Sequence, residues 1–524
     1  MSAVATTAGR RLDGARRRLL APSPLVIGLG LLALVVVSLL LRSTALHARY
    51  WIDEGLSVGI ASHPFADVPG LLRQDGSPPL YYLLLTVWVD LFGVGEAHTH
   101  MLSLLFALAT IPVAFFAGRS LFGVRAAWVA ALLAAINPYL TFYAQETRMY
   151  ALVVLLATFV AWAFGEAYVR RRRGWVAVFG VALALLAYAH NWGLFLAVGT
   201  VAALAPLVAA ATDRRALLRD AAIGYGIAAL LYAPWLPTLA FQVRHTGAPW
   251  SQAPHLNALQ SGMSSLLGGS APAMAFALGA GSGFVALVAG WWAAKREPKA
   301  AAAIAIFVMG FVALALAWTS SQVSPAWAAR YFAILVGPLM LLGGAGLVRA
   351  GRLGFVVLVI LVIFWLDPRT SLIEHKSNAH TAAVVVRGVV RPGDLVIAAH
   401  PEQGPLMHLY LPPGLRWANV MGPVRDPEIF DWRDAVDRLR AAKPKATSNA
   451  LVRTLRSGQR LFLVEPIIRS AVWTAPWTKL VRRRSKQWER RLNRDPRLLR
   501  LMSRPVLAGK PLPRGVRIVV YERR

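Results

Sequence analysis

The chain has 524 residues, 57% hydrophobic and only 15% charged, with a mean hydropathy of +0.52 and a formal net charge of +31. A soluble protein carries roughly a quarter charged residues, and apolar runs near twenty residues long recur here, so a water-soluble globule is excluded in favour of a polytopic membrane protein. No cysteine is present, which excludes disulfides and thiolate metal sites.

The basic excess does not indicate nucleic-acid binding. Up to residue 367 it falls mostly in short loops between apolar runs, the pattern of cytoplasmic loops facing anionic lipid. Residues 1–23 form a basic start containing Arg10, Arg11, Arg16, Arg17 and Arg18. No small-residue cleavage pattern follows the first apolar run, so that run reads as an uncleaved helix with the amino terminus in the cytoplasm.

Spans are expected at 25–41, 101–118, 126–142, 151–169, 175–189, 194–211, 221–235, 272–294, 300–318, 332–348 and 355–366. The remaining apolar run, 79–92, decides the topology. If it crossed, Arg119, Arg125, Arg170–Arg173, Arg214, Arg215, Arg219, Lys295, Arg296, Lys299, Arg349 and Arg352 would all face outward, against the positive-inside rule. It begins with Pro78-Pro79, is short for a span, and carries Tyr81, Tyr82 and Trp88, rings favoured at membrane interfaces. It is therefore expected to lie along the outer surface. The fold class is then a polytopic α-helical membrane protein of about eleven spans, residues 24–367, with a long first outer loop at 42–100.

That topology gathers the polar chemistry on one face. The first outer loop holds Asp53, Glu54, Asp67, Asp75, Asp90 and Glu96. The second adds Glu146 and Arg148, the third His190-Asn191-Trp192, the fourth Arg244, His245, Trp250 and His255, and the fifth Arg330-Tyr331. Carboxylates near hydrocarbon are costly and mark chemistry or transport where they persist.

Beyond residue 367 charge rises and apolar runs shrink to strand length, so 368–524 reads as an extracytoplasmic α/β domain. Strands are expected at 384–390, 395–399, 460–464 and 516–521, a turn at Arg391-Pro392-Gly393-Asp394, and an amphipathic helix at 431–442. Arg482–Arg484, Arg490 and Arg491 read as a solvated helical face.

Trp51-Ile52-Asp53-Glu54, then Asp75-Gly76-Ser77-Pro78-Pro79-Leu80-Tyr81-Tyr82, then Gln145-Glu146-Thr147-Arg148-Met149-Tyr150 resemble the C-type glycosyltransferases. The similarity is to the family 39 branch, which includes protein O-mannosyltransferases and lipid A aminoarabinose transferases. The resemblance implies an inverting transfer of a sugar, of mannose or pentose type, from a polyprenyl-phosphate donor to an extracytoplasmic glycan, lipid or protein. It places Asp53 at the catalytic-base position and Glu146 at the acidic position of the second outer loop.

The chemistry is consistent with that assignment. A hydroxyl is a poor nucleophile, and a carboxylate within reach activates it. A lipid phosphate leaves readily if positive charge and donors receive it. Arg148 and Arg330 suit that task because a guanidinium matches phosphate oxygens bidentately, with Tyr331 beside them. Tyr82, Asp75 and His190 complete the candidate donor-binding set. Asp53 and Glu54 are sequence neighbours and point apart, so Asp53 is expected to be the base and Glu54 to orient it. His63, His190, His245 and His255 share the outer face with several acids; a divalent metal is chemically allowed there, but no ligand spacing assigns one. The rival reading is a transporter or flippase of lipid-linked sugars, which would place ionisable groups near the bilayer midplane. The expected partners are the lipid-linked donor, membrane lipid and the acceptor, with no nucleic acid, in a multi-pass protein of the cell membrane.

Overall fold

The computed structural model describes residues 23–291, 297–368, 370–467, 474–504 and 515–524. The basic stretch through residue 22 and the pair Lys295 and Arg296 lie outside the described residues. Among the described residues, eight helices are long and apolar enough to cross a membrane: Pro24–Arg42, Glu96–Leu121, Tyr150–Val169, Gly193–Ala210, Arg214–His245, Ser270–Ala289, Pro298–Val323 and Ala329–Arg349. Four shorter apolar helices accompany them: Leu80–Phe92, Val124–Ile136, Gly174–Ala189 and Arg352–Trp365. Each expected span falls on one of these twelve; the remaining helix is Leu80–Phe92.

The expected span 126–142 is interrupted at Asn137. Its side chain accepts a hydrogen bond from Leu140 N at 3.0 Å, and Pro138 follows at the first position of a new helix, Pro138–Tyr143. An amide cap followed by proline restarts a helix rather than continuing one.

The connections sort to two ends of the bundle. At one end Arg170 donates to Ser120 O at 2.6 Å, Arg172 pairs with Glu166 at 2.8 Å, and Arg171 pairs with Asp220 at 3.3 Å. At the other end Asn137 donates to Leu266 O at 3.2 Å, Trp365 to Leu267 O at 2.8 Å and Asn191 to Gly76 O at 3.3 Å. Helix Leu80–Phe92 lies across this second end. Tyr82, near its start, bonds Ser77 and Arg148, and just beyond its other end Val94 O accepts from Tyr50 at 2.8 Å. Tyr81, Tyr82, Leu85 and Val89 face inward while Leu84, Val87, Leu91 and Phe92 are exposed, an amphipathic division that suits a helix lying along a surface.

The carboxy-terminal region carries a six-stranded sheet in the order β3-β2-β1-β4-β6-β5. The strands are β1 (Leu395–Ala398), β2 (Arg416–Asn419), β3 (Gly422–Val424), β4 (Arg460–Ile467), β5 (Leu498–Arg504) and β6 (Gly515–Arg523). β1 pairs in parallel with β2 and β4, and the other pairings are antiparallel. The expected strands at 395–399, 460–464 and 516–521 are present.

The expected strand at 384–390 is not. Residues Ala379–Arg387 are a helix burying Ala379, Ala382, Ala383 and Val386, a spacing of three and four, while Val384 and Val385 are exposed. The apolar period is 3.6 rather than 2. The helix expected over 431–442 is confined to Ala435–Ala441. Its first turn is absent because Asp434 is in the left-handed region at φ 47°, which interrupts a right-handed helix, while Trp432 N donates to Gln74 O at 3.0 Å and Asp434 N to His245 O at 2.7 Å. The basic helix Pro476–Asn493 buries Trp477, Val481, Trp488 and Leu492; Arg483 and Arg490 are exposed, while Arg482, Arg484 and Arg491 are half-buried.

Helix Ile52–Ala61 joins the two regions. Tyr50, Trp51, Ile52, Leu56 and Val58 pack into the core of the sheet region, and Ile60 and Ala61 into the bundle core. Gly55 and Gly59, one turn apart, allow this. A Cβ on Gly55 would sit 2.7 Å from Leu406 Cα, and one on Gly59 would overlap Glu428 O, so the sheet region can approach this helix only at glycine.

Candidate active site

The site grows from that joining helix. Its first turn presents Asp53 and Glu54 about 100° apart around the axis, and they enter different surroundings. Asp53 lines a cleft of ≈ 280 Å³ at the second end of the bundle, together with Asp75, Arg148, His190, Gln242, Trp250, Arg330, Tyr331, Glu402 and Trp432. Glu54 is absent from the cleft lining and has no exposed side-chain surface.

Within the cleft, Asp53 Oδ2 lies 3.4 Å from Arg330 Nη2. The Asp53 carbonyl accepts from Arg148 Nη1 at 3.2 Å, and the same nitrogen donates to Ser57 Oγ at 2.8 Å and Tyr82 Oη at 3.2 Å. Ser57 is four residues after Asp53, so one face of the helix holds Arg148 in place. Arg330 sits over the Trp250 ring at 4.7 Å and near the rings of Trp51 and Tyr331. Aromatic faces hold a guanidinium without consuming its donors. Asp53 Oδ2, Arg148 Nε, Arg330 Nε, Asn191 Oδ1 and Gln242 Oε1 are buried without a hydrogen-bonding partner. Such atoms are rare in a structural core and concentrate where a ligand is handled.

Two titratable groups are displaced here. Burial pushes the Asp75 carboxyl up; Ser77 and Arg148 pull against it, and the Asp53 charge adds to the rise. Burial, reinforced by Arg148 and Arg330, lowers His190 to about 3. Its Nδ1 accepts from Trp192 N at 3.0 Å, so the neutral ring carries its proton on Nε2 and serves as a donor. Its ring lies 4.7 Å from that of Tyr331.

Glu54 sits in a packed joint. It accepts from His100 Nε2 at 2.6 Å, Lys376 Nζ at 2.7 Å, Thr147 N at 2.8 Å and Trp51 N at 3.3 Å. Burial alone would raise its pKa, but Lys376 and then His100 outweigh burial and hold the carboxyl well below its usual range. Glu146, also buried, accepts from Trp51 Nε1. Neither carboxylate lines the cleft. Of the three acids Asp53, Glu54 and Glu146, Asp53 lines the cleft, while Glu54, expected to orient it, and Glu146 both bond Trp51.

The structure brings together Asp53, Asp75, Arg148, His190, Arg330 and Tyr331 in one cleft, with Tyr82 bonded to Arg148 beside it. It leaves out His245, which pairs with Asp434 at 3.2 Å, and His255, which precedes helix Leu256–Leu266. It adds residues that sequence reasoning missed. Glu402 and Trp432 reach the cleft from the sheet region. Glu402 follows the carboxyl end of β1, accepts from Trp477 Nε1, and lies 2.9 Å from His400 Nε2. Ligands of open α/β sheets bind outside the carboxyl ends of parallel strands, and that rule is the one signal that could have singled it out.

The family model for dolichyl-phosphate-mannose-protein mannosyltransferase matches residues 76–239. No curated protein sequence matches the chain. The fold matches ArnT from Cupriavidus metallidurans in the apo state, at a TM-score of 0.62 and 15% identity, covering 94% of this chain and 97% of that one. The same protein bound to undecaprenyl phosphate gives a TM-score of 0.59. The Archaeoglobus fulgidus oligosaccharyltransferase matches at a TM-score of 0.53 and 13% identity, covering 83% of this chain and 67% of that one. The arabinofuranosyltransferase AftD from Mycobacteria matches at 0.55 and 17% identity, covering 94% of this chain and 39% of that one. The chain therefore has the C-type glycosyltransferase fold.

Proposed function

We propose that this chain is an integral membrane inverting glycosyltransferase that moves a sugar from a polyprenyl-phosphate donor to an acceptor outside the cytoplasm. The observation that carries the reading is the convergence of one cleft-lining carboxylate, Asp53, with two guanidiniums, Arg148 and Arg330. The undecaprenyl phosphate held by the ArnT neighbour supports a polyprenyl phosphate as the leaving group. Asp53 takes the proton of the acceptor hydroxyl as its oxygen bonds to the anomeric carbon. The bond from that carbon to the phosphate oxygen breaks on the opposite face, and the lipid phosphate departs toward Arg148 and Arg330. A single base acting on the attacking side inverts the carbon. Both guanidiniums are fixed in advance, by Ser57 and Tyr82 in one case and by Trp250 in the other, so little reorganisation accompanies the charge that develops on phosphate.

The sugar is of mannose or pentose type and the acceptor an envelope glycan, lipid or protein. The basic loops at the end of the bundle opposite the cleft support a cytoplasmic position for that end, with the cleft and sheet region outside. Purified protein in detergent, supplied with polyprenyl-phosphate-mannose or polyprenyl-phosphate-arabinose, should release polyprenyl phosphate with at least one of them. Movement of the intact lipid-linked sugar across a vesicle bilayer without cleavage would replace this reading with that of a flippase.

A further inference from the structure

Away from the cleft, the far end of helix Ile52–Ala61 meets the loop after β3. There His63, Asp426 and Glu428 turn toward one another, with one ligating atom of each within 4.8 Å of the others. We propose that these three side chains form a divalent-cation site of the zinc class, which fastens the sheet region to the helix carrying Asp53.

His63 Nδ1 lies 2.9 Å from Gly59 O, and a carbonyl only accepts, so Nδ1 carries a proton. Its Nε2 faces Asp426 Oδ2 at 2.9 Å. Positive charge is favoured between that nitrogen and the carboxylate oxygen, and a ring proton or a bound divalent ion can supply it. Donation of one ring N–H to a backbone carbonyl is how a metal-binding histidine is usually held. Bonds of about 2.0–2.1 Å from one ion to two atoms 2.9 Å apart enclose an angle of about 90°, and a separation wider by about 0.4 Å gives the tetrahedral angle that zinc prefers.

The carboxylates fit the same purpose. Asp426 Oδ1 is fixed by Glu428 N at 3.0 Å, which leaves Oδ2 for the ion. Glu428 Oε2 lies 3.7 Å from His63 Nδ1 and its Oε1 3.8 Å from His408 Nδ1, so this carboxylate must turn within the 4.8 Å cluster to meet an ion at Nε2. Among the described residues no lysine or arginine pairs with Asp426 or Glu428, whereas the comparable Glu54–His100 contact has Lys376. An imidazole with two carboxylates selects a borderline transition ion over calcium or magnesium. The side chains are partly exposed, Asp426 by 38%, so an ion can enter. Glu428 O rests directly against Gly59, so the loop cannot swing away without opening the joint itself.

The test uses the full chain in detergent, purified without a histidine tag, stripped with EDTA and titrated with zinc. One equivalent should bind to the wild type and raise its thermal midpoint. His63→Gln and Glu428→Gln should each weaken binding at least about tenfold. The double variant should lose both the binding and the thermal gain, while His255→Gln keeps both. If either variant fails to fold, Asp426→Asn is read in the same titration. A stripped wild type that takes up no zinc, or a double variant that binds as well as wild type, overturns the site and leaves a protonated histidine paired with two acids.

Discussion

Asp53 and Glu54 share a helical turn and a chemistry, yet the regions they enter are opposites. Around Glu54 the carboxylate oxygens meet His100, Lys376, Thr147 N and Trp51 N, all within 3.3 Å and out of water. Around Asp53 the nearest cation stands at 3.4 Å, and several buried polar atoms have no hydrogen-bonding partner. A satisfied network rigidifies; an unsatisfied one costs stability and persists where a ligand completes it. Acidity alone therefore does not mark the reacting group, because the more strongly coupled carboxylate belongs to the joint.

The sharpest way to break this comparison is to neutralise both acids separately. Asp53→Asn keeps the shape and removes the proton acceptor, so transfer should fall by roughly two to four orders of magnitude with the thermal midpoint retained. Glu54→Gln should do the reverse, with a lower midpoint and turnover of the folded fraction within about tenfold of wild type. Paired measurements of kcat and thermal midpoint decide. If the two phenotypes are exchanged, Glu54 reaches the chemistry and the cleft assignment is wrong.

Lys376 sharpens the structural side. Lys376→Met leaves Glu54 buried with His100 as its one remaining cation, and breaking a buried pair from one side costs about 3–5 kcal/mol. Denaturant or thermal unfolding in detergent measures that loss. The Glu54 pKa is depressed in the folded protein, so this stability is present above the unfolded carboxyl value and fades as pH falls through the folded one. A Lys376→Met protein as stable as wild type at neutral pH would contradict the joint.

A smaller effect is expected at Arg148. Lysine keeps the charge but cannot span Asp53 O, Ser57 and Tyr82 as well as a ligand oxygen. Loss of charged hydrogen bonds worth about 1.5–3 kcal/mol implies a ten- to hundredfold fall in kcat/KM for Arg148→Lys. Unchanged kcat/KM at low donor concentration would assign Arg148 to scaffolding alone and leave Arg330 to receive the phosphate.

The division between the two acids was partly legible in the sequence. Period 3.6 gave the apolar helices of the bundle, and the loop charges grouped Asp53, Asp75, Arg148 and Arg330, which line one cleft, because each follows from local pattern. The separation of Asp53 from Glu54 followed from helix geometry. Lys376 and Glu402 were not legible. Both lie in the region read as a separate α/β domain, and their meeting with residues 42–100 depends on Gly55 and Gly59 admitting another backbone, which no periodicity records. The strand expected at 384–390 failed for a related reason. Valines at 384–386 favour strand locally, but Ala379, Ala382 and Ala383 supply a helical face that packs.

The finest test concerns Asp75, a cleft acid whose burial raises its pKa beyond what Ser77 and Arg148 offset, with Asp53 adding to the rise. The sign follows from linkage. A carboxyl with a raised folded pKa favours folding when protonated; its contribution is full below the unfolded value of about 3.9 and is lost as pH rises through the folded value. At neutral pH the ionised Asp75 therefore detracts from stability. Asp75→Asn removes that charge, so its thermal midpoint should lie slightly above wild type near neutrality, and the gain should vanish below about pH 4. If Asp75 serves the donor, activity should fall as stability rises, the exchange expected of a residue held in place for function. A gain that does not vary with pH would mean that the amide merely packs better. A loss at neutral pH would mean that Asp75 is held as a structural partner of Arg148, and the cleft would then contain one reacting acid with no second acid strained beside it.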